Sequence, residues 1–206
     1  RYTGPSCRLC RRTGEKLFLK GDRCFTLRCA VEKRRNPPGD VSRRRRRPSD
    51  YGVHLMEKQK AKYIYGVLES QFRRYMDDAF NTPGVTGLNL LRILERRLDN
   101  VIFLLGFADS RKQARQMILH GHFKVNGIKT DIPSYLVKEG TQIAWKEADK
   151  TTEYYKDRTD GLPKKPVPAW LMLDTTEMSG QVVSLPADED LKQTINSRLI
   201  VEFYSR

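Results

Sequence analysis

The apolar positions of the chain change period along its length, and the changes mark its elements. Leu68, Phe72, Met76 and Phe80 recur at every fourth residue with Tyr75 and Ala79 beside them, which predicts a helix with one apolar stripe turned to a core. Ahead of it, Ser49 or Asp50 follows Pro48 as the cap of an earlier helix, whose exposed side would carry Lys58, Lys60 and Lys62. "NTPG" at 81–84 ends the second helix. Leu88, Leu91, Leu94, Leu98, Val101, Ile102 and Leu105 form a further stripe that predicts one helix running to Gly106. "SRKQ" at 110–113 has the S-x-x-Q form of a capping box, and its helix is expected to continue to His120 before Gly121. The period then falls to two. "FKVNGIKTDI" predicts a hairpin about Asn126-Gly127, and "QIAW" at 142–145 a further strand after Glu139-Gly140. Beyond residue 148, "AWLMLD", "QVVSLP" and "RLIVEFY" read as short strands and helices around a polar linker.

This order of elements is α+β. Residues 1–48 carry few apolar runs and are expected to form a basic, metal-supported N-terminal extension. Residues 49–85 with 148–206 are expected to form a mostly helical domain with small C-terminal strands, because neither part has enough apolar surface alone. Residues 86–147 read as an inserted compact RNA-binding domain of two helices plus short strands. No stretch approaches eighteen apolar residues and the N-terminus has no apolar segment, so neither a membrane span nor a secretory signal is expected. The start at Arg1, without Met, is expected to reflect a residue or two removed or missing.

Charge narrows the partner. A formal net charge of +14 points to a polyanion, with nucleic acid ahead of an acidic membrane or an acidic protein. Its distribution says more: residues 1–62 hold 19 Lys/Arg against 6 Asp/Glu, whereas residues 63–206 hold 20 against 19. The excess therefore sits in the first third of the chain, which closes on Arg43, Arg44, Arg45, Arg46 and Arg47. That run reads as a tether along a nucleic-acid backbone, flexible when free and ordered when bound.

Cys7, Cys10, Cys24 and Cys29 are spaced C-x2-C-x13-C-x4-C, which suits a tetrahedral four-thiolate site with a tight turn at its first pair. Two disulfides are the structural alternative, and a nucleic-acid-binding composition argues against them. Zinc is the default ion; a [4Fe–4S] cluster fits the same spacing. With no open ligand position, the site is expected to be structural.

Arg111 and Arg115 share a helix face beside Lys112, next to the free N–H groups of a helix start, and Arg92 and Arg96 repeat the i, i+4 spacing one helix earlier. His120, His122 and Lys124 follow at the helix exit. Such faces are commonly just solvated, but the charge of the chain turns this one toward RNA. Catalysis is not expected. No Ser or Cys stands as a nucleophile beside a base, Asp77-Asp78 and "DED" at 188–190 read as solvated or capping groups, and no phosphate-binding glycine loop is present.

"ERRLDNVIFLLGFADSRKQARQMILHGHFKVNGIKTDIPSY" at 95–135 resembles the RNA-binding module first described in small-subunit ribosomal protein four and shared by pseudouridine synthases, some tyrosyl-tRNA synthetases and a heat-shock protein. The surrounding chain resembles the bacterial form of that ribosomal family itself: "RYTGPSCRLCRRTGEKLFLKGDRC", "RRPSDYG", "IYGVLESQFRRYM" and "LIVEFYSR". The resemblance implies a structural component of the small ribosomal subunit that binds 16S-type ribosomal RNA early, at a five-way junction of the 5′ domain, and starts assembly of the subunit body. It also implies contacts with ribosomal proteins five and three, a position where mRNA enters the ribosome, a part in translational accuracy and, in some members, repression of their own operon. Cytoplasmic ribosomes would be its location. Transferred by motif, the RNA-facing residues would be Arg97, Arg111, Lys112, Arg115, Gln116, His120, His122 and Lys124, with Arg96 compensating for Leu104, which stands where relatives often carry arginine. Lys58, Lys62 and Arg43 to Arg47 complete the expected RNA-binding set. The four cysteines match the metal quartet of a subset of bacterial members.

Overall fold

A computed structural model of the 206-residue chain describes residues 2–34, 36–39, 47–159, 166–191 and 195–205. Arg43 to Arg46 lie outside the described residues. The chain divides into two compact units, Arg1–Leu91 with Gln193–Arg206, and Arg92–Lys192.

In the first unit, α1 (Ser6–Thr13) and the single turn α2 (Ala30–Lys33) flank a short 3₁₀ turn at Gly21–Cys24. Helix α3 (Asp50–Tyr65) starts where the sequence places its cap: the Ser49 hydroxyl accepts the Gly52 N–H at 3.3 Å. Helix α4 (Glu69–Asn81) buries Phe72, Tyr75, Met76 and Ala79 as its stripe requires. The ends of that stripe, Leu68 and Phe80, are exposed, because they lie at the helix termini beyond the covering elements.

The stripe from Leu88 to Leu105 is not one helix. It forms α5 (Thr86–Glu95) and α6 (Leu98–Leu104), separated at Arg97, whose ψ of 136° is extended. Residues 133–137 cause the break by supplying bonds that a continuous helix would make internally. Leu98 and Asp99 donate to the Tyr135 and Pro133 carbonyls, and Val137 donates to that of Arg96. Helix α7 (Arg111–Leu119) follows, with the Ser110 hydroxyl accepting the Gln113 N–H at 3.3 Å. The Gln113 side chain reaches back to the Asp109 N–H at 2.9 Å, one residue further than a capping box would take it.

The strands are β1 (Phe123–Val125), β2 (Ile128–Lys129) and β3 (Gln142–Trp145), then, after the short helix α8 (Glu153–Thr159), β4 (Leu171–Asp174) and β5 (Ser179–Val182). They form one antiparallel sheet in the order β2-β1-β3-β5-β4. Asn126 and Gly127 turn the hairpin with φ of +49° and +80°, as a two-residue turn of this hand needs.

This sheet corrects the expected domain division. β3 has a second edge once β1 occupies the first, and β5 pairs there, Gln142 against Gln181 and Ile143 against Gly180. Trp170, Leu171, Met178 and Val182 are buried in one core with Leu98, Ile102, Phe123 and Trp145. Segment 166–191 thus completes the compact domain instead of joining 49–85. At Gly180 a Cβ would lie 2.4 Å from the Leu105 side chain, so glycine lets β5 approach α6. Only α9 (Ser197–Tyr204) joins the helices of the first unit, as the "RLIVEFY" stretch predicts. Its Ile200 is fully buried, and Phe203 meets Tyr51 of α3 at 5.6 Å between ring centres.

Candidate nucleic-acid interface

Two buried polar groups fix the basic face of α7. Asn100, fully buried, donates to the Glu95 carbonyl at 2.8 Å and to its carboxylate at 2.5 Å, and accepts from Arg111 Nε at 2.7 Å. The Arg111 guanidinium also lies 4.6 Å from the centre of the Phe103 ring. Asp99 takes both a fork from Arg97, at 3.0 and 2.6 Å, and a longer contact from Arg115 Nη1 at 3.4 Å. The guanidinium groups of Arg111 and Arg115 are therefore oriented by side chains from the start of α6, while about a third of the Arg115 side chain, 30 %, reaches solvent.

Arg97 does not belong to the surface. It is 2 % exposed, because its place at the break between α5 and α6 turns it onto Asp99 two residues later. Arg96, half-buried, donates from Nε to the Val137 carbonyl at 2.9 Å and ties down the 133–137 segment. Lys112 is half-exposed, and Gln116 and His120 are exposed. His122 places Nδ1 3.0 Å from the Asp149 carboxylate, which orients its ring. The rings of His120 and His122 stand 6.0 Å apart.

Lys124 of β1 lies directly across from Lys129 of β2. Two like charges opposed on a hairpin oppose folding unless an anion meets them. The Lys129 side chain lies over Gly121, where a Cβ would come within 2.3 Å of its Cε, so it brings charge back to the exit of α7. Lys129 is absent from the sequence-based set. The signal was available, since Lys124 and Lys129 stand at equal distances on either side of Asn126-Gly127 and a two-residue turn must pair them.

In the first unit the lysines of α3 are not a free basic face. Lys58, 5 % exposed, binds the Glu69 carboxylate at 2.8 Å and lies 4.5 Å from the centre of the Phe203 ring; Lys62 binds the same carboxylate. Lys60 pairs with Glu15 at 2.8 Å and Glu57 at 3.5 Å. The helix face that the sequence leaves open is covered by α9 and by Glu69. Burial works to raise the Glu69 carboxyl, but hydrogen bonds from Lys58, Lys62 and Tyr204 outweigh it and hold it down at about 2. Burial first, and then the bond to Glu69, push the Tyr204 phenol up. Arg47 is exposed at the approach to α3.

Cys7 and Cys10 lie one turn apart on α1, rather than on a tight turn; Cys24 ends the 3₁₀ turn and Cys29 precedes α2. All four are free thiols that line one cavity of about 10 Å³, with Leu19, Arg23 and Val31 among its walls. Burial raises the Cys10 thiol, a hydrogen bond from the Leu17 backbone opposes the rise, and the charges of Cys24, Cys7 and Cys29 add to it. Among the described residues, no three Cys, His, Asp or Glu side chains stand at metal-holding spacing. Arg11 secures the following loop by donating to the Asn36 and Pro37 carbonyls at 2.9 and 3.1 Å.

Two family profiles match this chain, "Ribosomal protein S4/S9 N-terminal domain" over residues 1–95 and "S4 domain" over residues 96–143. Their junction falls at the break between α5 and α6. Three similar proteins carry the name small ribosomal subunit protein uS4. That of Halothermothrix orenii is 53% identical, that of Heliobacterium modesticaldum 54% and that of Acetivibrio thermocellus 53%, each across 100% of this chain and 99% of the relative. The chain belongs to the uS4 family of small ribosomal subunit proteins.

Proposed function

We propose that the protein is a structural, non-enzymatic component of the small ribosomal subunit that binds 16S-type ribosomal RNA early and helps to nucleate the subunit body at a multi-helix junction. The observation that supports this reading best is the anchoring of Arg111 and Arg115 by the buried Asn100 and Asp99, beside the opposed Lys124 and Lys129. Cations held in place before binding lose little side-chain freedom on meeting phosphates. Each phosphate neutralised contributes a log–log salt slope of roughly −0.7 to −0.9. Specificity then comes from the fixed spacing of cations against a folded RNA rather than from base edges. Contacts with ribosomal proteins five and three, a place beside incoming mRNA and an effect on translational accuracy extend the same reading and rest on family resemblance.

Cys7, Cys10, Cys24 and Cys29 would hold one structural ion, with zinc preferred and a [4Fe–4S] cluster the alternative. Their convergence on one small cavity supports this, and thiolates are the donors both groups require. Such a group would cross-link a segment poor in apolar residues.

Sucrose-gradient fractionation at two salt concentrations, with metal analysis of the purified protein, tests both parts. The protein should travel with small subunits, with about one zinc per chain. Recovery only in ribosome-free fractions would remove the ribosomal reading. Metal-free protein of unchanged stability would remove the metal.

A further inference from the structure

The second unit carries a cavity of about 340 Å³ between α7, the sheet and α8, at the lower end of the roughly 300–1,000 Å³ of small-ligand sites. Gln113, Gln116, Met117 and His120 stand at i, i+3, i+4 and i+7 on one face of α7 and line it. His122 ahead of β1, Trp145 at the end of β3 and Tyr154 of α8 face them across it. Met117 and Trp145 are buried and form an apolar floor, whereas Gln116 and His120 are exposed and mark the mouth. The wall is set in advance. Gln113, which accepts the Asp109 N–H, donates to the Tyr154 hydroxyl at 2.8 Å, and that hydroxyl lies 3.6 Å from the Met117 sulfur.

The chemistry of the mouth points to its occupant. The side chains of Gln116 and His120, and Nε2 of His122, make no hydrogen bond among the described residues. Asp149 holds the other ring nitrogen of His122 at 3.0 Å, so that imidazole is oriented before anything binds. An amide and a neutral imidazole can each both donate and accept. Among the described residues no Lys or Arg lines the cavity, so a phosphate would meet no cation inside it. A nucleobase has the matching form, apolar on its faces with donors and acceptors along its edge. Lys112, one turn before Gln116, is the cation of α7 that borders this face.

We propose that this cavity seats one unpaired nucleobase of the ribosomal RNA, its faces against the apolar floor and its edge hydrogen-bonded by Gln116, His120 and His122. The phosphate of that nucleotide stays outside, on the Lys112 side. This rests on the RNA-binding reading above and departs from its phosphate-only grip at a single position.

Full-length protein with a small-subunit ribosomal RNA transcript tests the seat. Base-specific chemical probing should find an unpaired base whose edge is protected when wild-type protein saturates the transcript. Gln116→Trp plugs the mouth from an exposed position. That base should then react again, and affinity should fall roughly 5- to 100-fold with the salt slope unchanged, since no cation is removed. Gln116→Ala takes away only the amide and should cost about 5-fold. Lys129→Ala should flatten the slope yet leave the base protected at saturation. Full affinity and an unchanged protection pattern in Gln116→Trp would overturn the seat. So would a protection that appears only when other ribosomal proteins are added, which identifies a protein-docking cavity instead. Free nucleosides that shift the Trp145 indole resonance while RNA is saturating would assign the cavity to a small ligand and overturn it too. A wild-type protein that fails to bind the transcript sinks the RNA reading as a whole, whereas wild-type binding with unchanged variants sinks the seat alone. Matching thermal melts establish that each variant is folded.

Discussion

Asp99 is 2 % exposed and faces Arg97 at 2.6 Å and Arg115 at 3.4 Å, so its carboxylate neutralises a buried guanidinium and anchors a half-exposed one. Asp99→Asn should destabilise the protein by about 3–5 kcal/mol, because the buried Arg97 guanidinium loses the charged fork that Asp99 supplies. Urea unfolding midpoints measure this, and the same variant should bind RNA more weakly through Arg115. Lysines of the two units should behave differently. Lys129→Ala removes a cation that faces solvent, so the salt slope of RNA binding should fall by about 1 with stability nearly unchanged. Lys58→Ala should instead cost about 1–2 kcal/mol of stability, through the lost Glu69 bond and Phe203 contact, and leave the slope alone. In sequence these residues look alike, as lysines on polar stretches. What separates them is whether a carboxylate from elsewhere in the chain reaches them.

Helices α3, α4 and α9 meet through one carboxylate, since Glu69 of α4 takes Lys58 and Lys62 of α3 and Tyr204 of α9. Its folded carboxyl lies at about 2, below the ordinary 4.5. A depressed carboxyl stabilises the folded state above its unfolded value and loses that contribution as pH falls toward the folded one. The docking of α9 should therefore weaken between about pH 4.5 and pH 2. Nearly half of the Glu69 side chain is exposed, so water screens the effect and the change should be modest. Glu69→Gln should abolish that part of the pH dependence in thermal melts, and an unchanged profile would count against the arrangement. Elements with local signals were legible beforehand. Ser49 and Ser110 cap their helices, and Asn126-Gly127 turns its hairpin, because each uses atoms within three residues. The break at Arg97 was not legible, since apolar spacing is the same for one helix or two. The bonds that separate them come from residues 133–137.

The core of Leu98, Ile102, Phe123 and Trp145 lies within Arg92–Lys192, whereas Cys7, Cys10, Cys24 and Cys29 belong to the other unit, so an ion held by them should act on that unit. Chelation, or Cys24→Ser, should lower the melting of the first unit and leave that of Arg92–Lys192 in place. Calorimetry separates the two transitions, and RNA affinity should fall with the first. At this scale the sequence alone was enough to give the α+β class, the concentration of charge in residues 1–62, the cysteine quartet and the family. Composition, motif spacing and caps are properties of neighbours along the chain. The membership of 166–191 in the β2-β1-β3-β5-β4 sheet, the withdrawal of Arg97, Lys58 and Lys62 from solvent, and the return of Lys129 to the α7 exit came only with the tertiary structure. Each depends on partners far apart in sequence, where strand pairing and the balance of burial against ion pairing are decided by proximity in space.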